Sequence, residues 1–269
     1  MTVNESAFHP KTPLMEAILL EDELESVRWV RELLAAGEDP NQLDYTGYRP
    51  PLYEAWGLGK TAVVRLLLDN GAQIITDKGL LDEVSVGFAP IEATLLLLEA
   101  GHSFKECVIL KGDEPMCESD SNHLTYLLEQ ERWDHIQAFE KYDLFCLINA
   151  FGFLGLTPLA EMARDNRIEQ ARWLLDKRAN VNAHCRNCVG YTALEEAVDG
   201  KHLEMIKLLI DAGANPNIRT WMRMNCVDRV QPIDPSRRKQ RHNPEKRADL
   251  KEIKDLVLAA SKNFPIETL

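Results

Sequence analysis

Thr192-Ala193-Leu194-Glu195-Glu196-Ala197 is followed closely by Leu208-Leu209-Ile210-Asp211-Ala212-Gly213-Ala214. Threonine is a helix-capping residue type, and Ala197 returns to the face of Leu194 after one turn. The leucine pair running into glycine reads as the last turn of a second helix with a left-handed stop. The same two signals recur outward along the chain. Starts appear at Thr12-Pro13-Leu14-Met15-Glu16-Ala17, Pro51-Leu52-Tyr53-Glu54-Ala55 and Thr157-Pro158-Leu159. Ends appear at Leu33-Leu34-Ala35-Ala36-Gly37, Leu66-Leu67-Leu68-Asp69-Asn70-Gly71-Ala72 and Leu174-Leu175-Asp176-Lys177-Arg178-Ala179. Leu52 to Gly71, Leu159 to Arg178 and Leu194 to Gly213 are each 19 positions apart. Proline at a first helical position lacks only an N–H that would have no partner there. Arg178 stands where the other copies place glycine.

On these landmarks the chain resembles the ankyrin family, whose repeat of about 33 residues joins a turn to two antiparallel helices under a Thr-Pro-Leu-His-x-Ala signature. The resemblance implies an all-α fold, an ankyrin-repeat solenoid of stacked helix-turn-helix units with short hairpin loops, in a single domain over residues 1–269. Clear repeats fall at about 11–45, 46–75, 155–183 and 188–218, and degenerate ones at about 78–104 and 122–145. A divergent capping repeat occupies 219–269, its last helix opened by Asn243-Pro244. The inner helix of the third repeat is expected within Gly79 to Phe88.

A chain of 269 residues with 45% hydrophobic content can bury a large core without staples. No run approaches the roughly 18 apolar residues of a membrane span, and Met1-Thr2-Val3-Asn4-Glu5 lacks the basic and apolar regions of a signal peptide, so a cytoplasmic location is expected. Six irregularly spaced cysteines are read as reduced thiols. Net charge is −12, yet Arg219 to Arg247 carries nine Lys/Arg against three Asp/Glu, leaving −18 on the remainder. An acidic body disfavours DNA and RNA and favours a basic partner. Arg237-Arg238-Lys239-Gln240-Arg241-His242 is read as a solvated loop in preference to a nucleic-acid contact.

Signals for catalysis weaken on inspection. Gly57-Leu58-Gly59-Lys60-Thr61 ends like a phosphate-binding loop, but that motif needs glycine where Glu54 stands. Cys185-Arg186-Asn187-Cys188 has the spacing of a zinc or redox pair, but zinc takes four ligands and the segment falls in a hairpin between repeats. It is read as an exposed finger. No cofactor, metal, small-molecule substrate or catalytic residue is proposed, and the chain is expected not to be an enzyme.

The resemblance implies that partners are held by the hairpin fingertips and the exposed edge of the inner helices. Carried over to this sequence, the fingertip candidates are Asp44, Tyr45, Tyr48, Asp77, His184, Arg186 and Asn187. The inner-helix candidates are Tyr53, Glu54, Trp56, Asp165, Glu196 and Asp199. Trp56 has core packing as its alternative, because it follows the packed Ala55. Two irregular stretches stand out as well. The apolar segment Leu144 to Leu154 is either an interaction surface or extra core, and His102 to His123 contributes an acidic excursion through Asp113, Glu114, Glu118 and Asp120. The expected function is reversible binding of another protein, in the manner of a cytosolic inhibitor or immunity protein that neutralises a basic toxin or enzyme. An adaptor or host-acting effector that recruits a client is the alternative. Charge reversal of Asp44 and Asp77 should slow association with a basic partner at low salt while leaving the unfolding midpoint unchanged, as stopped-flow and urea titration would show.

Overall fold

Among the described residues, proline at the first position of four helices and a side-chain cap at the mouth of five fix where the helices of this computed structural model begin. The structure describes residues 11–43, 50–73, 89–104, 108–111, 114–117, 122–152, 154–185, 190–220, 224–230 and 244–265. The expected inner helix within Gly79 to Phe88 and the Asn243 cap lie outside them.

Two compact units are present, residues 1–107 with 134–143 and residues 108–133 with 144–269. In the first, α1 (Pro13–Ile18) and α2 (Glu23–Ala35) are followed by α3 (Pro51–Gly57), α4 (Thr61–Asp69) and α5 (Ile91–Glu99). There α1 packs on α3, α2 on α4 and α4 on α5. Leu14, Ile18, Leu52, Trp56, Leu67 and Leu97 are fully enclosed. In the second unit, β1 (Val108–Lys111) and β2 (Glu114–Cys117) precede α6 (His123–Glu129). Next comes α7 (Trp133–Phe139), which belongs mostly to the first unit. Then follow α8 (Pro158–Arg164), α9 (Ile168–Asp176), α10 (Ala193–Gly200), α11 (Leu203–Asp211), α12 (Cys226–Val230) and α13 (Pro244–Ser261). Inner helices α6, α8, α10 and α12 pack in succession, while α9 meets α11 and α11 meets α13. Leu124, Leu159, Leu194, Leu209 and Val257 fill the space between them. Each such side chain contributes about 1.5–3 kcal/mol through burial.

The architecture is helical throughout, with one addition: the acidic excursion holds a two-stranded antiparallel hairpin with Val108 opposite Cys117 and Lys111 opposite Glu114. The apolar segment after α7 supplies core. Leu144, Leu147, Ile148, Ala150 and Phe151 are buried, and only Leu154 of its large aliphatic side chains is exposed. Asn122 holds this segment in place. Its Nδ2 donates to the carbonyls of Leu147 at 2.8 Å and Ala150 at 2.9 Å, while its Oδ1 caps α6 by accepting from Leu124 N at 2.9 Å.

Successive turns are joined by asparagine. Asn41 Nδ2 donates to Gly71 O at 3.2 Å and its Oδ1 accepts from Gln73 N at 2.6 Å. Asn182 repeats the pattern on Gly213 O at 3.2 Å and Asn215 N at 2.7 Å. Asn217 then donates to Ser261 O and Phe264 O at 3.0 Å each, tying on the last helix. Lys60 does related work in the first unit, where its buried ammonium donates to Ile18 O at 2.6 Å and also to Leu20 O. A cation at the carbonyl end of α1 is well placed against the helix dipole. Burial lowers its pKa, with Glu23 and Asp22 opposing.

Helix ends share a left-handed residue even where the sequence lacks glycine. Glu131, Asn166 and Lys201 after the inner helices, and Asp143, Arg178 and Gly213 after the outer ones, all have positive φ. Arg178 therefore adopts the conformation that glycine adopts elsewhere, at φ 66°. Gly213 and Gly190 show two separate reasons for glycine. A Cβ on Gly213, at φ +89°, would meet nothing within 4 Å, whereas one on Gly190 would lie 1.9 Å from the carbonyl oxygen of Gly155. Gly213→Ala should thus cost only backbone strain, about 1 kcal/mol. Gly190→Ala should cost roughly 3 kcal/mol, because backbone must move. Urea denaturation of the two variants will rank them in that order, and equal losses would contradict it.

Candidate protein-binding face

The 35-residue interval between Glu131, Asn166 and Lys201 repeats the same helical positions on α6, α8 and α10. One file along the inner helices is therefore Tyr126, Glu161 and Glu196, and the next is Glu129, Arg164 and Asp199. Asp165 lies beside them at the end of α8. Arg164 is the hub, since its guanidinium contacts Glu161 Oε2 and its Nε donates to Asp165 Oδ1 at 3.2 Å. His202 Nε2 donates to the Arg164 carbonyl at 3.1 Å, joining the turn after α10 to the end of α8.

Carboxylates outnumber the cations that serve them. Burial raises the pKa of Glu129, and Asp165 adds to the effect against the pull of Arg164 and Arg167. Burial likewise raises Glu161, with Arg164 opposing and Glu129 and Asp165 reinforcing. Glu196 is pushed up to about 7 by burial first, with Arg164 and Arg229 opposing and Asp199 and Glu161 reinforcing. Burial disfavours the charge on Arg164, but Glu161, Asp165 and Glu196 overcome it and its pKa rises.

The adjacent Glu195 points the other way, is fully buried, and is satisfied. It accepts from Thr192 N at 3.1 Å in a capping box, from Thr220 Oγ1 at 3.0 Å and from Arg229 Nε at 3.4 Å. Arg229 also contacts Asp199 and lies 4.4 Å from the centre of the Tyr191 ring. This network fastens α12 to α10 and fixes one edge of the face.

Of the inner-helix candidates, Asp165 and Asp199 are exposed, while Glu196, Tyr53 and Glu54 are half-buried. Asp165, Glu196 and Asp199 come together on one face, and Asp199 is engaged by Arg229. Tyr53 and Glu54 belong to α3 of the first unit. Trp56 is a correction. It is 0% exposed, and its Nε1 donates to Thr94 Oγ1 at 3.0 Å inside the core, so it presents no surface to a partner. The position after the packed alanine turns into the α3–α4–α5 layer, where a buried hydroxyl satisfies the indole N–H. His184 is half-buried, with Nδ1 3.2 Å from Asn182 O. Asp44, Tyr45, Tyr48, Asp77, Arg186 and Asn187 lie outside the described residues.

The reduced-thiol reading also needs correcting at Cys185, which is disulfide-bonded and buried against Phe151 and Ala183. Cys226 is a free thiol whose pKa burial raises well above the ordinary value. Among the described residues no cluster of His, Cys, Asp or Glu could hold a metal, and no helix is long and apolar enough to cross a membrane. The sequence reading missed Glu129, Glu161 and Arg229. A 35-residue step back from Glu196 exposes Glu161, and the same step from Asp199 through Arg164 exposes Glu129; Arg229 has no such signal, because its partners are distant in sequence.

Residues 116–220 match the family model for ankyrin repeats in three copies. A 65-residue stretch, 24% of this chain, is 45% identical to the human ankyrin repeat and KH domain-containing protein 1, of which it covers 3%. The chain spans 6% or less of the lengths of the curated relatives it matches. Two solved structures are similar over nearly the whole chain. The human ASB11 ankyrin repeat domain has a TM-score of 0.54 at 19% identity, covering 93% of this chain and 98% of that one. The ankyrin repeat domain of Bcl-3, a member of the IkappaB protein family, has a TM-score of 0.60 at 17% identity, covering 92% and 98%. Identities this low show the fold alone.

Linkage gives the face a measurable signature. An unfolded glutamate titrates near 4.5, while folded Glu196 titrates near 7. Between those values the folded chain holds a proton that the unfolded chain has lost, so Glu196 makes stability fall as pH rises through that window. Glu196→Gln should match the parent in stability at pH 4. At pH 8 it should exceed it by roughly 1–2 kcal/mol, the full value of about 1.4 kcal/mol per pKa unit being reduced by solvent screening. Urea midpoints at the two pH values decide; a variant no more stable at pH 8 removes the claim.

Proposed function

We propose that this chain is a protein-binding module and that the inner-helix face of α6, α8 and α10, which lies within the residues matching the ankyrin-repeat model, takes a basic segment of a partner protein. The observation that carries this reading is Glu196, whose charge is disfavoured by burial and by Asp199 and Glu161. An incoming lysine or arginine offsets that repulsion, so the cost of burying the carboxylates in the free chain returns as affinity in the complex. A net charge of −12 accelerates encounter with such a partner.

Within that reading the chain acts in the cytoplasm as an inhibitor, an immunity-type protein that covers a basic toxin or enzyme such as a nuclease. Support comes from the long-range acidity and from a face whose charges are set before binding, which suits fast, tight capture. Recruitment of a client as an adaptor is the second reading, favoured by the β1–β2 hairpin as a second candidate surface.

Capture from the native cell extract, followed by purified kinetics, tests both levels. The parent chain should retain a basic protein, and a double variant, Asp165→Lys with Glu196→Lys, should bind it about a hundredfold more weakly, with the greater part of the loss at low salt. An acidic partner, or equal binding by the variant, ends the charge-based reading. Titration of the captured protein's own activity then separates the roles. Loss of activity at one chain per partner supports inhibition, and full activity at saturation leaves recruitment.

A further inference from the structure

We infer that the outer edge of β1, Val108–Lys111, is a strand-addition site for an extended basic segment of a partner protein. The geometry follows from one residue. Pro115 stands opposite Leu110 in the ladder. Proline has no N–H to give, so its backbone faces away from β1, and in an antiparallel pair its opposite number faces away as well. Leu110 therefore directs its N–H and C=O outward, and Val108, two residues earlier, does the same. Along β2 the matching edge is blunted at Pro115. The hairpin thus has one closed edge and one open edge.

Nothing among the described residues covers the open one. Among the described residues, no backbone hydrogen bond outside the hairpin involves Val108–Lys111, and neither strand packs closely on a helix. An edge left in this state is a template for another strand. Charge selects the occupant. Residues 105–120 carry five Asp/Glu against two Lys, so an extended segment rich in lysine or arginine is attracted and an acidic one is repelled. This surface is independent of the inner-helix reading. It draws on different residues and on main-chain pairing instead of side-chain charge.

The test uses the full chain and a short peptide of alternating lysine and valine. Binding should slow hydrogen exchange at the Val108 and Leu110 amides. Leu110→Pro removes the outward N–H without touching a ladder bond and should weaken binding about tenfold. The same peptide N-methylated at alternate amides should lose a similar factor against the unaltered chain, so the outcome does not depend on how well Leu110→Pro folds. The Asp165→Lys, Glu196→Lys chain should bind the peptide as the parent does, which separates failure here from failure of the inner-helix proposal. Equal binding by the N-methylated peptide would show charge attraction without strand pairing and overturn the inference. So would equal binding by an alternating glutamate and valine peptide. A dimer of the peptide-free chain that Leu110→Pro dissolves would assign the edge to a second copy, and that too overturns it.

Discussion

A left-handed residue after each helix from α2 to α11 sets the register on which the other features of this protein depend. From Glu131 through Asn166 to Lys201, and from Asp143 through Arg178 to Gly213, the backbone reverses at the same interval whether or not the side chain favours it. Four of those six residues are neither glycine nor asparagine, so the chain accepts strain of about 1–2 kcal/mol at each to keep the spacing. Packing of α6 on α8 and α8 on α10 over-determines the turns and holds them there. Because the interval is constant, residues distant in sequence fall into files, and a face with its own electrostatics arises.

Neighbouring glutamates on α10 show two solutions to the same problem. Glu195 is enclosed but meets Thr192, Thr220 and Arg229, so its oxygens are satisfied and it serves to fasten α12. Glu196, half-buried one residue on, is raised by burial, with Arg164 opposing and Asp199 and Glu161 reinforcing, and its pKa stands near 7. One glutamate is committed to the fold, and the other is left with electrostatic free energy that only something outside the chain can relieve. Disfavoured charge at a surface that the fold otherwise orders is what the proposed binding face rests on.

What could be read from the sequence was whatever repeats in residue type. Thr-Pro-Leu starts, leucine pairs and glycine stops gave α1 through α4 and α8 through α11, because capping and left-handed glycine leave local signatures. Asp165, Glu196 and Asp199 were legible as inner-helix positions for the same reason. Trp56 was not, since the choice between core and surface depends on whether a neighbouring layer supplies a hydroxyl, and Thr94 is 38 residues away. Cys185 was misjudged because a disulfide is a fact of three-dimensional proximity. The strands at 108–117 escaped because a pair of four-residue strands has no periodicity long enough to detect. Arg229 was hidden inside a basic stretch whose net charge masked one cation's role.

The asparagine joints bear on how such a chain changes over generations. Through its side chain Asn182 bonds to the turn that follows it, at Gly213 and Asn215, and its N–H donates to the side chain of Asn180. Asn41 and Asn182 make the same pair of bonds across a turn, so a segment duplicated or excised between two such asparagines would meet the same donor and acceptor at its new seams. Recombination within the gene can therefore lengthen or shorten the array, and shift which acidic files it displays, without inventing a new interface.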